Sequence, residues 1–324
     1  MAIRLARALD TVAAKIEHAS WLDPAAETVA GLVRRILPRG PVRDIASGTP
    51  LAHPVHPALV AIPIGSWSAA TYLDLIDGKR HQQAACRLVG LGNLAALPTA
   101  ITGANDWAYT QGAERRVGFV HALLNDVALS LFVGSWWVRR RGHPLEGIAL
   151  SLTGSGVMSA AAWLGGHLAY ALGVGVDTTA FQHAPRDWTD VAAEADVVAD
   201  ELIGADAGGV PVVLVRRGEQ VIALADRCTH RGGPLHEGSL DGGTISCPLH
   251  GSRFCVDDGA VVEGPATRPA PVFETRVTAG RVEVRRDQGH VRYEPIRSAS
   301  DPGPAPVSAR RRVRADPWSS TNGP

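Results

Sequence analysis

The chain has 324 residues, 32 of them basic and 32 acidic, so its formal net charge is zero. That excludes a general basic footprint for nucleic acid, and a hydrophobic content of 45% excludes an acidic, disordered chain. Four cysteines are too few for a disulfide-rich secreted scaffold, and the length suits about two domains. The first segment, 1–46, reads as amphipathic helix. Leu5, Leu9, Val12 and Ile16 share one helical face, and Val29, Leu32, Val33 and Ile36 share another after the Asp23-Pro24 start signal. Pro38, Gly40 and Pro41 end the pattern, and Arg4, Arg7 and Asp10 break any signal-peptide-like run. The apolar faces suit either a membrane surface or another domain.

From Val55 to Val176 only 14 of 122 residues are charged, about half the density of the whole chain. A membrane helix needs about 20 predominantly apolar residues. Four runs meet that length: Ala58–Ile76, Ala84–Ala104, Val117–Val138 and Leu145–Gly173. Pro63, Pro98 and several glycines fall inside them, which membrane helices tolerate. Soluble helices show one wet face, and these mostly do not. The reading is therefore a four-helix transmembrane domain over 47–176, with Asp74–Arg87, Asp106–Arg116 and Arg139–Glu146 as the charged connections.

After a linker at 177–186 the pattern changes to short alternating strands with glycine turns. Val210–Val215 and Gln220–Ala225 read as a hairpin, and Thr244–Cys247, Arg253–Val256 and Ala260–Val262 as strands. Val272–Thr278 and Arg281–Val284 make a last hairpin. This is a small antiparallel all-β domain over 187–297, and 298–324, rich in proline and arginine, reads as a disordered tail.

Within the β-domain, Cys228-Thr229-His230 and Cys247-Pro248-Leu249-His250 each carry one thiol and one imidazole, with 16 residues between His230 and Cys247. Two facing loops would supply two sulfurs and two nitrogens. Tetrahedral zinc fits that set. So does a two-iron cluster with two cysteines on one iron and two histidines on the other. One thiol and one imidazole on each loop suits a centre with chemically distinct ends. Nearby glycines, among them Gly232 and Gly251, would let the backbone turn around it.

The stretches Cys228-Thr229-His230-Arg231-Gly232-Gly233 and Cys247-Pro248-Leu249-His250-Gly251-Ser252 resemble the two boxes of a Rieske [2Fe-2S] domain. Gly264-Pro265-Ala266 resembles its covering proline loop, and Asp187–Val191 its first strand. The resemblance implies a [2Fe-2S] cluster with Cys228 and Cys247 on the inner iron. It implies His230 and His250 on the outer iron, at an exposed tip that serves as the electron port. High-potential members carry an extra cysteine in each box; those positions here are Gly233 and Leu249, so that disulfide is absent. Ser252 would donate a hydrogen bond to a cluster sulfide, and Phe254 stands where those members have a tyrosine. Fewer hydrogen bonds to the sulfurs imply the low-potential, ferredoxin-type class. Cys255 reads as a packed thiol. A Rieske oxygenase would need a further large domain, and 38 residues follow Arg286.

The stretches His56–Gly65 and Trp163–Tyr170 resemble a family of bacterial four-helix membrane domains with no assigned activity. Four crossings place His53, His56, His121 and His167 near one membrane face, the face that carries the β-domain. Gly118, His121, Asn125, Ala128 and Phe132 share one stripe of the third helix, and Asp126 adds an ionisable group inside the span. Three roles are open for this group: axial ligation of haem b, a quinone pocket with Asp126 as proton relay, or helix–helix hydrogen bonding.

These readings converge on a membrane-anchored Rieske protein that carries single electrons between a protein donor and a protein acceptor. No complete substrate-converting site is evident. The alternatives are a quinone- or haem-linked membrane oxidoreductase subunit and a cluster-based redox sensor. Lipid is the expected surrounding and nucleic acid is not a partner. The positive charges on the two membrane faces nearly balance, with Lys79, Arg80 and Arg139–Arg141 opposite Arg39, Arg43, Arg115 and Arg116. The ferredoxin-type boxes favour a cytoplasmic β-domain, and the Arg139–Arg141 run is the argument for the opposite orientation.

Overall fold

A computed structural model describes residues 2–286. The tail at 298–324 lies outside the described residues. Three short helices open the chain: α1 (Ala2–Glu17), α2 (Asp23–Ile36) and α3 (Pro41–Ser47). The membrane half follows as α4 (His56–Trp107), α5 (Gly112–Arg140) and α6 (Pro144–Tyr170). Among the described residues four helical segments are long and apolar enough to cross a membrane: His56–Gly78, Arg80–Trp107, Gly112–Arg140 and Pro144–Tyr170. The first two run on within α4, where only Asp77 leaves helical geometry. Its carboxylate accepts the Arg80 N–H at 3.1 Å and so restarts the second span.

The membrane bundle is inverted relative to a soluble one. Its interior is built mostly of small side chains, with a few hydroxyls: Ala70, Ala85, Val89, Ala96 and Ala128 pack around Trp67 stacked on Phe132, ring centroids 4.3 Å apart. Thr71 meets Ser155 at 3.0 Å, and Ser135 meets Ser151 at 2.8 Å. Ile62, Leu75, Leu91, Leu94, Leu97, Ile101, Leu123 and Val133 face outward. Small interior residues and a large apolar exterior are what helix packing in lipid requires.

Two expectations about the charged connections change. Asp74 is buried, with the Arg139 guanidinium donating to both its oxygens at 2.9 and 2.5 Å. Arg139 is therefore an interior partner and not a loop charge to be counted toward orientation. Only Arg140 and Arg141 of that run stay outside, lying over Trp136 and Trp137.

The β-domain has two antiparallel sheets. The six-stranded sheet runs β1-β10-β9-β4-β3-β2 and the four-stranded sheet runs β5-β6-β7-β8. Their bounds are β1 Thr189–Ala193, β2 Leu202–Asp206, β3 Pro211–Arg217, β4 Gln220–Ala225 and β5 Ser239–Asp241. The remainder are β6 Thr244–Ser246, β7 Arg253–Cys255, β8 Val261–Glu263, β9 Val272–Thr278 and β10 Arg281–Arg286. The sequence reading missed β2 and β5, which are short and lack a long apolar alternation. Val213, Val215, Leu224, Ile245 and Phe254 fill the space between the sheets and close over Cys228 and Cys247.

The N-terminal helices join the halves. Arg116 clamps Asp23 through two 2.7 Å hydrogen bonds, and Ala26 and Ala30 of α2 pack on Trp107 and Ala108. Val29, Leu32 and Ile36 stay exposed, so α2 docks through its small residues and leaves its larger apolar ones facing outward.

Candidate metal centre

The first box leaves β4, and the second is the loop of the β6–β7 hairpin. The two loops fold alike. The Cys228 N–H donates to the Gly233 carbonyl at 2.9 Å, and Gly232 N–H returns to the Cys228 carbonyl at 2.8 Å. Cys247 and Ser252 repeat the first bond at 2.8 Å, and Gly251 and Cys247 the second at 3.1 Å. The closing glycines, Gly232 and Gly251, hold φ of 71° and 72°, a region that costs any side chain with a Cβ. Equal offsets from cysteine to glycine in sequence thus become equal turns.

These turns bring the four expected ligands together. The imidazoles of His230 and His250 stand 5.2 Å apart by ring centroid and at 86° to each other. The thiols of Cys228 and Cys247 are within hydrogen-bonding reach of one another. A hydrogen bond from Cys228 lowers Cys247 to about 6, and the same contact together with burial pushes Cys228 up. The amides of His230 and Arg231 donate to Cys228 sulfur, and those of Leu249 and His250 to Cys247 sulfur. Burial lowers His230 to about 3, with His250 and Arg43 adding to it. Burial also lowers His250 to about 4, helped by the charges of Arg231, Arg115, Arg34 and Arg39. Both rings are neutral at neutral pH, the state a metal ligand needs.

The residues fit a sulfur- and nitrogen-ligated cluster on three observations. His230 Nδ1 is buried with no hydrogen-bond partner, a costly state for a polar atom unless a ligand takes it. Four backbone amides already point at the two sulfurs. A Cβ at Gly233 would stand 2.9 Å from Cys247 Sγ and 2.9 Å from Leu249 Cγ, so the pocket wall has no room for a side chain there. Gly233 and Leu249, the two positions of the missing disulfide, therefore do face each other, and leucine fills the gap.

Ser252 is fully buried and its oxygen accepts the Ala266 N–H at 3.0 Å, which leaves its own O–H proton free to point elsewhere. Thr229 Oγ1 donates to the Arg268 carbonyl at 2.7 Å and ties the first box to the covering loop. Phe254 is core. Cys255 is a half-buried free thiol, pushed up by burial.

The histidine edge is only partly exposed. It packs against Tyr109, in the turn between α4 and α5, with ring centroids 6.3 Å from His230 and 5.6 Å from His250. Arg231 pairs with Glu114 of α5. The covering loop is held from α3 and its exit: Arg43 donates to Glu263 at 3.0 Å and to the Gly264 carbonyl. Asp44 accepts the Gly264 N–H at 3.0 Å, and Thr49 Oγ1 donates to the Ala266 carbonyl at 3.0 Å. Sequence reasoning missed Arg43, Thr49 and Tyr109. Their partners lie more than a hundred residues away, and the only local signal was an aromatic and an arginine beside membrane-helix ends.

The membrane residues do not form one site. His56 Nδ1–H donates to the Thr99 carbonyl at 3.0 Å. His121 Nδ1–H donates to the Ala161 carbonyl at 2.8 Å, and its Nε2 accepts from Asn125 at 3.1 Å. His167 Nε2 meets Glu17 of α1 at 2.7 Å and stacks on Trp163. His53 is exposed before α4. Asp126 is exposed on the outer face of α5, away from the His121 and Asn125 stripe. These bonds tie helices together, and haem ligation at His121 would require Asn125 to leave Nε2.

The architecture and the paired boxes define a small iron–sulfur electron-transfer domain fused to a membrane bundle. Residues 187–274 match the Rieske [2Fe-2S] domain family, and residues 52–178 match DUF2231, described as a predicted membrane protein. The chain belongs to the Rieske family through its C-terminal domain, joined to a DUF2231 membrane domain. It is 44% identical over 77 residues to ferredoxin CarAc of Metapseudomonas resinovorans, covering 24% of this chain and 72% of that protein. It is 33% identical over 98 residues to the anthranilate 1,2-dioxygenase ferredoxin subunit of Burkholderia cepacia, covering 30% and 91%. Among solved structures it is similar to the complex of reduced oxygenase and oxidized ferredoxin in carbazole 1,9a-dioxygenase. That match has 38% identity, covers 30% of this chain and 92% of that one, and has a TM-score of 0.29.

Proposed function

We propose that Cys228, His230, Cys247 and His250 hold a [2Fe-2S] cluster and that the chain is a membrane-anchored carrier of single electrons. The observation that carries this reading is the pair of like-folded loops converging on an orphaned His230 nitrogen. A bound cluster supplies storage of one electron at a time. The protein's part is to seat and insulate it. Four amides would offset negative charge at the two sulfurs, Ser252 would donate a hydrogen bond to the bound group, and the 264–268 loop would cover one side of it.

The ferredoxins of the relatives are components of dioxygenase systems by name. An analogous donor or acceptor protein is the partner class for this chain. The histidine edge faces the chain's own membrane domain, so that exchange takes place at the membrane surface, past Tyr109 and His250. The ferredoxin-type boxes support a cytoplasmic position for the β-domain.

Iron and acid-labile sulfide measured per chain in detergent-purified protein test the ligand set. Two irons and two sulfides, lost in Cys228→Ser and in His230→Ala, are expected. Full occupancy in either variant would sink it. Orientation is read by labelling an introduced cysteine at Gly280 in whole cells with an impermeant reagent. Protection is expected, and labelling would place the domain outside.

A further inference from the structure

Beside the histidine edge lies a cleft of about 610 Å³ that the electron-carrier reading does not use. Arg34, Arg39, Arg115, Tyr109, Leu249 and His250 supply its working walls. Three guanidiniums meet one carboxylate there. Glu27 takes Arg34 at 2.5 Å and Arg115 through its other oxygen. Arg115 Nε is buried without a partner. Arg39 is exposed, packs over Gly251 and forms no ion pair among the described residues. The cleft thus keeps an excess of two positive charges against a wall made partly by a cluster ligand.

The rim adds a second, independent feature. Leu32 and Ile36 of α2, which carries Arg34, and Val42 and Ile45 of α3, which follows Arg39, are exposed. Apolar residues beside arginines at the end of membrane helices form the pattern of a segment lying in the headgroup layer. Arginine forks fit phosphate oxygens in bidentate fashion.

We propose that this cleft is a phosphate-type anion site: Arg34, Arg39 and Arg115 seat the anionic group, and Tyr109 and His250 form its floor. The ligand is an anionic group at the membrane surface, from a phospholipid headgroup or from a free phosphate. Because the anion sits against His250, its negative charge opposes addition of an electron nearby and lowers the midpoint potential of the centre. This last consequence rests on the cluster assignment above; the binding itself does not.

The test uses the full chain in nanodiscs of phosphatidylcholine. One arm adds phosphatidylglycerol; the other adds inorganic phosphate at constant ionic strength. Binding is read by native mass spectrometry for the lipid and by titration calorimetry for phosphate, on cluster-loaded and cluster-free protein. The midpoint potential is read on the loaded form. Binding in the first arm identifies a headgroup and in the second a soluble anion, and either supports the site. Arg39→Gln is expected to weaken it about tenfold, the worth of one charge-assisted hydrogen bond. Arg35→Gln, exposed on α2 next to Arg34 and outside the cleft, is expected to leave it unchanged. Retained binding in cluster-free protein with no cluster ever formed would fail the carrier reading and leave the site standing. No binding in either arm, or binding equal in Arg39→Gln, would overturn the proposal. A bound anion that leaves the potential of the loaded protein unmoved would overturn its effect on the centre.

Discussion

Replacing Arg43 by glutamine removes a positive charge fixed beside the histidine edge. The side chain is fully buried, and its Nε and Nη1 have no hydrogen-bond partner. Its guanidinium lies 6.0 Å from the Tyr109 ring, which in turn touches both candidate histidine ligands. An added electron at the centre would sit on the order of 10 Å from that charge; with an effective dielectric near 20, the attraction is about 1.7 kcal/mol, or roughly 70 mV for one electron. Arg43→Gln should therefore lower the midpoint potential by several tens of millivolts. Arg43→Lys should restore most of it. Arg43 also holds the covering loop, so a variant that loosens the loop without changing charge is needed. Thr49→Val removes one hydrogen bond to Ala266 and should leave the potential where it was. The assay is a redox titration of detergent-purified protein followed by EPR. An unchanged or raised potential in Arg43→Gln, or an equal fall in Thr49→Val, would refute the electrostatic reasoning.

Three other outcomes follow from the same geometry. Gly233→Ala puts a methyl 2.9 Å from Cys247 Sγ and should cut iron and sulfide per chain several-fold while the membrane helices keep their circular dichroism. Asp74→Asn leaves the Arg139 charge buried and unmatched and should cost about 3–5 kcal/mol in denaturant titrations. The Asp74→Asn, Arg139→Gln double variant should recover much of that loss, and a double variant as unstable as the single would argue against the pair. Stripping the metal with chelator under reducing conditions should lower the melting temperature of the β-domain, because a bound group stabilises only the folded loops. An unchanged melt would mean that the boxes stand without it.

The two boxes were legible because each is a local instruction. Cysteine, histidine and the closing glycine lie within five residues, so spacing alone dictates the turn. The four spans were legible from hydropathy for the same reason. What sequence did not disclose is set by distant partners. Arg43 meets residues about 220 positions away, and Asp74 meets Arg139 65 positions away. Both were read as loop or surface charges because a charged residue near a helix end usually is one. The histidine tip was legible only in part: the boxes say where the expected ligands are, not that Tyr109 packs against them. Asp126 could have been placed from sequence. Successive helix positions turn by about 100°, so a stripe that turns Asn125 inward carries its neighbour to the outer face. The apolar face of α2 was left open between a membrane surface and another domain; Ala26, Ala30 and Val33 make the packing contact, and Val29, Leu32 and Ile36 are left outside.

The central claim is that Cys228, His230, Cys247 and His250 bind a two-iron, two-sulfide centre in a membrane protein. Low-temperature EPR of the dithionite-reduced, detergent-purified chain tests it most directly, with iron, labile sulfide and zinc quantified on the same sample. A rhombic signal of the Rieske type, with iron and sulfide in equal amounts, is the predicted result. Stoichiometric zinc with no labile sulfide and no EPR signal would contradict it.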